Sequence, residues 1–226
     1  MKRILIVAAH PDDEVLGCGA TIARLTNEGN EVYTLILGEG ITSRYGQRDI
    51  KKRRKEISSL KKQIYAANNI LGVKKIFVYN LPDNRFDTVP LLDIIKKIEK
   101  IKVKIKPDII YTHSEEDLNI DHRITYNAVM TACRPVAGNS VKEIYSFEIP
   151  SSTDWGCGKQ FVPDKYINIA QTFDRKIKAL QVYKGEIREY PHPRSPEALK
   201  IIAKRWGIKV GINMAEPFKT IRNLKI

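Results

Sequence analysis

The stretch RILIVAAHPDDEVLGCGA at Arg3–Ala20 decides the fold. Its apolar run is short and continuous, which is typical of a buried strand, and the polar sequence HPDDE ends it at once. The run is shorter than the apolar core of a signal peptide and far shorter than a membrane span. We therefore predict a strand over Arg3–Ala9, a polar turn, and a helix over Val15–Asn27 in which Gly17 and Gly19 allow close backbone approach.

Short apolar runs alternate with longer amphipathic stretches up to residue 133, and then the pattern becomes less regular. Such alternation is typical of a parallel sheet flanked by helices. The sequence therefore predicts an α/β fold, a Rossmann-like three-layer sandwich with a mostly parallel central sheet. No repeat or Pro/Gly-rich linker is found, so residues 1–226 are expected to form a single domain. The further predicted strands are Glu31–Leu37, Lys75–Asn80, Asp108–Thr112, Glu143–Glu148 and Tyr166–Asn168, and the further predicted helices are Asp49–Leu71, Val89–Ile101, Ile120–Cys133, Gln171–Tyr183 and Pro196–Trp206.

The chain carries a formal net charge of +13, which needs an explanation. Its basic runs coincide with predicted amphipathic helices, so we interpret them as solvated faces; a field that attracts an acidic or phosphate-bearing substrate is the alternative. Aromatic residues do not interleave with these runs, so nucleic-acid binding is not expected. Cys18, Cys133 and Cys157 are odd in number and lack paired spacing, which argues against a disulfide framework and favours a cytoplasmic location. Because the apolar runs are short, no integral membrane segment is expected.

Polar clusters follow three of the predicted strands at the point where each strand ends. His10 comes directly after the first strand, Asp83 and Asn84 follow the third, and His113 follows the fourth. The carboxyl ends of parallel strands meet at one edge of the sheet, where open α/β folds bind ligands. We therefore expect a functional site at this edge.

Two histidines and one aspartate in this region have the spacing of metal ligands. His10 and Asp13 are three residues apart on a tight turn, and His122 falls in the first turn of the helix after the fourth strand. A lone histidine is more often structural, but two imidazoles with one carboxylate suit zinc and leave a coordination position for water. These ligand types also fit iron or manganese, so the predicted cofactor is Zn2+ or another divalent metal.

Asp12 lies beside these ligands in the sequence but is expected to point in a different direction. A carboxylate near a metal-activated water is what metal-assisted hydrolysis needs as a general base. The alternative is that Asp12 caps the following helix. Glu14 fits that helix start better, because an acidic side chain there favours the positive end of the helix dipole. The sequence therefore predicts Asp12 as the catalytic base.

Two motifs together carry a resemblance to a known family. AHPDDE at residues 9–14, followed by LGCGATIARL, resembles the opening signature of the PIG-L/LmbE-like deacetylases, and THSEEDLNIDHRITYNAV at residues 112–129 resembles their second motif. Shorter matches occur in LGV at 71–73, LPDNRFD at 81–87, YPHPRS at 190–195 and AEPF at 215–218. The resemblance thus runs over nearly the whole chain.

This resemblance implies an LmbE-like Rossmann fold and a zinc ion held by His10, Asp13 and His122. It further implies that Asp12 is the catalytic base and that Asp121 orients a neighbouring group. The typical reaction of the family is removal of acetate from an N-acetylglucosamine moiety. Members often form trimers or hexamers, so a homo-oligomer is expected.

The chain departs from the family pattern at one position. Many members have a histidine three residues before the last ligand, where it stabilises the oxyanion, whereas this chain has Asn119. An amide donates a hydrogen bond to a developing oxyanion but does not act as an acid. We therefore predict that His192, or failing that His113, supplies a protonated imidazole, with loop packing and a structural role as the respective alternatives.

Polar residues beyond the metal ligands are candidates for substrate binding. Hydroxyl groups of a sugar are expected to meet the residues that follow the third strand, and two arginines could hold a phosphate, a carboxylate or the departing acetate. A solvated surface position is the alternative for each. The candidates are Asp83, Asn84, Arg85 and Asp87 for hydroxyl groups and Arg53 and Arg194 for anionic groups, with Tyr45 and Trp155 as sugar-stacking platforms.

The sequence therefore predicts a metal-dependent hydrolase that removes the acetyl group from an N-acetylated amino sugar. Zinc would activate a water molecule and Asp12 would take its proton. The expected substrate is a small amino sugar, either free or linked to a phosphate or nucleotide. A zinc-dependent amidase for another N-acyl compound, such as a thiol-precursor glycoside or an antibiotic intermediate, is the main alternative, and a non-catalytic polyanion-binding Rossmann module is the second.

Overall fold

The computed structural model describes residues 1–156 and 160–225, and within them seven strands form one sheet. Six helices and two short 3-10 turns, Thr42–Arg44 and Phe86–Thr88, connect the strands. The strands are β1 (Arg3–Ala8), β2 (Glu31–Gly38), β3 (Lys75–Leu81), β4 (Ile109–His113), β5 (Glu143–Phe147), β6 (Lys165–Asn168) and β7 (Ala215–Asn223). The helices are α1 (Asp13–Asn27), α2 (Arg54–Leu71), α3 (Leu91–Ile105), α4 (Ile120–Ala132), α5 (Phe173–Val182) and α6 (Pro196–Lys209).

The strand order is β3-β2-β1-β4-β5-β7-β6, with β1 to β5 all parallel to one another. This mostly parallel sheet between helices confirms the predicted Rossmann-like architecture. The chain moves outward from β1 in one direction through β2 and β3, and in the other direction through β4 and β5. The carboxyl ends of β1 and β4 therefore flank the point where the strand order reverses, which is where open α/β sheets place their ligands.

Strand β7 is an element that the sequence pattern did not predict. It pairs antiparallel with both β5 and β6. Its apolar residues do not alternate with polar ones, because Ala215, Phe218 and Ile221 recur every third residue and Pro217 lies among them. A period of three with a proline is untypical of a strand, so pairing with two neighbours rather than local preference determines this element.

The helices cover the sheet through apolar faces, as α3 illustrates. Ile94, Ile98, Ile101 and Ile105 recur at helical spacing and are all buried, while the exposed face of the helix carries Lys96, Lys100 and Lys104. The basic runs therefore include the solvated side of a packed helix. None of the helices in the described ranges combines the length and the apolar character that a membrane crossing requires. Cys18 and Cys133 are buried free thiols, and Cys157 lies outside the described residues.

Helix α1 is broken at Cys18, whose backbone (φ −150°, ψ 23°) leaves the helical region. The break exposes amide groups within the helix, and the buried carboxylate of Glu216 on β7 accepts the N–H groups of Ala20 (3.2 Å) and Thr21 (2.7 Å). The ammonium group of Lys176 lies 2.7 Å from Glu216 Oε1, which balances its charge. A carboxylate from the far end of the chain thus stabilises the second half of α1.

Candidate active site

Three side chains converge at the carboxyl edge of the sheet. His10 follows β1, Asp13 begins α1, and His122 lies in the first turn of α4. Asp13 Oδ2 is 3.4 Å from His10 Nδ1 and 3.3 Å from His122 Nε2, and one ligand atom from each residue lies within 4.8 Å of the others. The sheet achieves this convergence because β4, which leads into α4, pairs directly with β1.

Two further carboxylates fix the direction of each imidazole. Asp121 Oδ2 lies 2.9 Å from His10 Nε2, and Asp117 Oδ2 lies 3.1 Å from His122 Nδ1. A carboxylate accepts hydrogen bonds, so each imidazole, when neutral, would carry its hydrogen on the nitrogen that faces Asp121 or Asp117 and would leave the lone pair of its other nitrogen for a cation. Carboxylate–imidazole pairs of this kind are typical of protein metal sites. The arrangement therefore fits a divalent cation held by His10, Asp13 and His122.

The electrostatics of these residues also favour a cation. Burial acts to lower the pKa of His122, but the carboxylates of Asp13 and Asp117 outweigh it and raise that pKa to about 9. Burial acts to raise the pKa of Asp13, yet the imidazoles of His122 and His113 hold it well below its ordinary value. Buried carboxylates thus outnumber permanent positive charges here, and a bound cation would balance them.

Asp117 is a residue to which the sequence analysis assigned no role. It is 1% exposed, and besides facing His122 it accepts hydrogen bonds from Ser152 Oγ and from Thr153 Oγ1 at 2.6 Å. Burial acts to raise its pKa, but the imidazoles of His122 and His113 and the hydroxyl of Ser152 lower it to about 2. Its only sequence signal is its place five residues before His122, in the loop after β4. Asp117 therefore links that loop to the position of the His122 imidazole.

Asp12 is buried beside the proposed metal site but is not one of the converging ligands. Its backbone is left-handed (φ 96°, ψ −27°), and its side chain makes no capping hydrogen bond to α1. Instead, Asp12 Oδ2 lies 3.2 Å from Nη1 of Arg194. Burial raises the pKa of Asp12 well above its ordinary value, and Arg194 opposes this shift. Asp12 is thus a buried carboxylate with enhanced affinity for a proton, and it lines the same cavity as His10 and His122.

The two histidines considered as proton donors have other partners. His113 is fully buried, its Nε2 accepts the Ala9 N–H at 2.9 Å, and burial lowers its pKa to about 3. His192 packs its ring edge against Trp155, with centroids 5.7 Å apart, and its Nδ1 accepts the Arg194 N–H at 3.1 Å. Burial and nearby arginines lower the pKa of His192 as well. Both imidazoles are therefore neutral near pH 7.

A polar cavity of about 140 Å³ opens onto His10, Asp13 and His122. Among the predicted substrate-binding residues, Asp83, Asn84 and Arg194 line it, and so does Asn119, whereas His192, Arg53, Arg85 and Asp87 are not among its lining residues. Three polar side chains of the lining, Ser43, Arg44 and Glu186, were not predicted from the sequence. The complete lining is His10, Pro11, Asp12, Asp13, Gly40, Ser43, Arg44, Asp83, Asn84, Asn119, His122, Glu186 and Arg194.

Asn119 and Asn84 form an amide pair in the cavity wall. Asn119 Oδ1 accepts the Asp121 N–H at 2.8 Å and so caps α4, while its Nδ2 donates to Asn84 Oδ1 at 2.8 Å. The backbone of Asn84 is left-handed, with φ 51°. A side-chain amide carries two N–H donors, so the Asn119 amide has a second donor with which to meet a ligand.

Three of the residues predicted to bind substrate have different surroundings. The guanidinium of Arg53 stacks over the Tyr45 ring at 3.4 Å and pairs with Glu56 at 3.1 Å. Arg85 and Asp87 are exposed on the 3-10 turn and its flank. Arg53 therefore belongs to the start of α2, and the other two are exposed residues outside the cavity lining.

Two arginines and a glutamate form a chain along the cavity wall. Arg194 Nε donates to Ser151 Oγ at 2.8 Å, and its Nη1 lies 3.7 Å from Glu186 Oε2. Glu186 Oε1 in turn pairs with Nη2 of Arg44, which lies in the first 3-10 turn. Segments far apart in sequence, residues 42–44 and 186–194, thus meet above the carboxylate of Asp12.

The chain resembles proteins of one enzyme family along most of its length. A family model described as GlcNAc-PI de-N-acetylase (PIG-L) matches residues 5–133, more than half of the chain. The uncharacterized deacetylase YaiS of Escherichia coli K12 is 32% identical over 190 residues, covering 81% of this chain and 91% of the relative. A probable N-acetyl-alpha-D-glucosaminyl L-malate deacetylase 2 of Bacillus cereus is 26% identical over 187 residues, covering 82% of this chain and 84% of the relative.

Solved structures share the fold. N,N′-diacetylchitobiose deacetylase from Pyrococcus horikoshii superimposes with a TM-score of 0.77 at 22% identity, covering 98% of this chain and 84% of that one. The matched family region contains all three converging ligands and Asp12. The match over residues 5–133 and the 32% identity to a deacetylase show that the chain belongs to the PIG-L family of de-N-acetylases.

Proposed function

We propose that this protein removes the acetyl group from an N-acetylated amino sugar, with a zinc ion held by His10, Asp13 and His122. Three converging ligands with a separate buried carboxylate, Asp12, facing the same cavity are the observation that carries the proposal. Relatives named as deacetylases of N-acetylglucosaminyl malate and of diacetylchitobiose support the substrate class. Another divalent metal with the same ligand preferences is the alternative cofactor.

A cation in this site would activate a water molecule and polarise the acetyl carbonyl. Asp12 takes the proton of the attacking water and later returns it to the departing amine, since His113 and His192 are both neutral imidazoles near pH 7 and so are not acids for this step. Asn119 and Arg194 are the donors of the cavity wall that would face a developing oxyanion. Asp121 keeps its orienting role through its contact with His10.

The cavity wall favours a polyhydroxylated substrate. Asp83, Asn84 and Arg44 bring acceptors and donors to the lining, as hydroxyl groups of a sugar require. Asp83 is itself held in place, because its Oδ2 accepts from both the backbone N–H (3.1 Å) and the hydroxyl (2.6 Å) of Ser43. Arg44 and Arg194 both contact Glu186, so an anionic substituent, if the sugar carries one, would compete with that carboxylate.

Replacement of the proposed base tests the assignment. Asp12→Asn should keep stoichiometric zinc, because Asp12 is not a ligand, and should lower turnover by about 10²–10⁴-fold, the usual contribution of a general base. Asp93→Asn on the exposed start of α3 is the control and should behave as the wild type. Near-normal acetate release by Asp12→Asn would refute the role of Asp12.

The same acetate-release assay distinguishes the proposed function from its alternatives. Acetate release from other N-acyl compounds, without release from any N-acetylated amino sugar, would favour the alternative of a zinc-dependent amidase. If the protein were a non-catalytic polyanion-binding module, it should bind nucleic acid in a salt-sensitive way and hold no zinc. The convergence of His10, Asp13 and His122 argues against the absence of a metal. A single domain over residues 1–226, a homo-oligomeric assembly and a cytoplasmic location stay predictions.

A further inference from the structure

Glu14 is a fully buried carboxylate in the first turn of α1. Its Oε2 accepts the backbone N–H of Asp12 at 3.0 Å, and its Oε1 accepts from Tyr183 Oη at 2.6 Å and from Asn68 Nδ2 at 2.8 Å. Within the described part of the chain, no lysine, arginine or histidine pairs with it. A buried carboxylate that is held by neutral donors costs stability, so its presence in this network points to a task other than stability.

The partners of Glu14 are themselves fixed. Thr34 Oγ1 on β2 donates to Asn68 Oδ1 at 2.8 Å, which orients the amide so that its Nδ2 faces Glu14. The same Nδ2 also donates to the Ile64 carbonyl at 3.0 Å, within α2. Groups from β2, α2 and the end of α5 therefore hold Glu14 in one position.

The group that Glu14 holds is the backbone of Asp12. A residue before a helix usually has an extended backbone and caps the helix with its side chain. Asp12 instead has φ 96°, a left-handed conformation that costs a non-glycine residue about 1–3 kcal/mol and persists only where neighbours enforce it. Its side chain is thereby free of α1 and reaches Arg194 in the cavity wall.

We propose that Glu14 is a positioning residue, which accepts the Asp12 N–H and so keeps residue 12 left-handed with its carboxylate in the cavity. This inference rests on the proposed role of Asp12 as the base. It assigns to Glu14 a task that its place at the helix dipole alone does not require. The consequence is that the buried network from Thr34 to Glu14 serves turnover rather than zinc binding.

Two substitutions separate the acceptor of Glu14 from its charge. Glu14→Met keeps an unbranched side chain but removes both acceptors, so kcat should fall about 10–100-fold, as for other residues that orient a reacting group, while KM and zinc content stay near wild type. Glu14→Gln retains one acceptor for the Asp12 N–H, and its NH2 group can donate to the Tyr183 oxygen, but it loses the bond from Asn68, which keeps its bond to the Ile64 carbonyl. It should therefore recover part of kcat and be faster than Glu14→Met. Hydrogen exchange at the Asp12 amide, followed by NMR in the zinc-loaded enzyme, should be faster in Glu14→Met only.

Glu216→Gln is the matched control. Glu216 is also a buried carboxylate that accepts amide N–H groups of α1, but it acts on the second half of the helix, away from Asp12. Its replacement should lower the free energy of unfolding and leave kcat within about twofold of wild type and exchange at the Asp12 amide unchanged. A loss of kcat in this control equal to that in Glu14→Met would show that the effect is only structural and would overturn the inference.

The remaining outcomes are decisive as well. The inference fails if Glu14→Met keeps its kcat, or if Glu14→Gln is as slow as Glu14→Met although the Asp12 amide is protected. Should Glu14→Met not fold, slow exchange at the Asp12 amide of the wild type supports the contact and unprotected exchange overturns it. If the wild type releases no acetate from amino sugars, the proposed substrate is wrong, and the amide exchange still decides whether Glu14 holds Asp12.

Discussion

Replacement of Asp121 by asparagine tests how His10, a proposed metal ligand, is oriented. The side chain is fully buried, and both oxygens are used, since Oδ2 lies 2.9 Å from His10 Nε2 and Oδ1 accepts the Phe86 N–H at 2.9 Å. Asparagine has the same shape but only one oxygen. Its NH2 group must therefore face a hydrogen-bond donor, either the imidazole or the Phe86 amide.

Each orientation of the new amide has a calculable cost. If the NH2 group faces His10 Nε2, the ring hydrogen must move to Nδ1, which is the nitrogen that faces Asp13 and would bind the metal. Zinc affinity should then fall about 10–100-fold, equivalent to about 1.4–2.7 kcal/mol. If the NH2 group faces Phe86, the buried mismatch should lower the free energy of unfolding of the metal-free protein by about 1–3 kcal/mol.

Two measurements together detect either orientation of the amide. Competition with a chromogenic chelator gives the zinc affinity, and denaturant unfolding of the metal-free protein gives the free energy of unfolding. Asp108→Asn is the matched control, because Asp108 Oδ2 accepts the Arg3 N–H at 2.8 Å at the opposite end of the same strands. It should leave zinc affinity unchanged. Wild-type values of both zinc affinity and unfolding free energy in Asp121→Asn would refute the proposed orientation of His10.

Two further predictions concern packing and pH. Alanine usually stabilises a helix relative to glycine, but a Cβ on Gly17 would lie 2.4 Å from the Phe147 ring. Gly17→Ala should therefore lower the free energy of unfolding by about 1–3 kcal/mol. A variant that is more stable than the wild type in denaturant unfolding would contradict this. Burial raises the pKa of Glu148 from 4.5 to about 7, with Asp154 adding to the shift and the Trp206 indole, Lys176 and Arg205 opposing it. The carboxyl of Glu148 loses its proton at lower pH in the unfolded chain than in the folded protein, so the wild type loses stability as the pH rises from 4.5 to 7. Glu148→Gln has no proton to release. Its free energy of unfolding should therefore rise relative to that of the wild type by up to about 3 kcal/mol across that interval. Equal differences in unfolding free energy at pH 4.5 and 7.5 would contradict the shift.

The sequence predicted the convergence of His10, Asp13 and His122 because the information is local. His10 and Asp13 share one strand–turn–helix segment, and His122 opens the helix after β4, so a parallel sheet is enough to bring them together. The same reasoning placed Asp83 and Asn84 at the cavity, since they follow β3 at the same edge. The central parallel strands were equally predictable from continuous apolar runs.

Features that depend on long-range contacts were not predictable from the pattern. Arg44 and Glu186 meet although 142 residues separate them, and no motif marks either one. The path of the loop around residues 188–194 brings Arg194, rather than the neighbouring His192, to Asp12. Asp117 was not predicted, because its role depends on the contact of its carboxylate with Nδ1 of His122 rather than on a recognisable spacing of residues in the sequence.

The most direct test of the central claim is acetate release before and after removal of the metal. The purified protein is stripped with a chelator, reloaded with zinc, and incubated with a panel of N-acetylated amino sugars while acetate and free amine are both quantified. We expect no release by the stripped protein, and one acetate per free amine from at least one sugar after reloading. Release at the same rate without metal, or no release from any of these sugars by the zinc-loaded protein, would contradict the account.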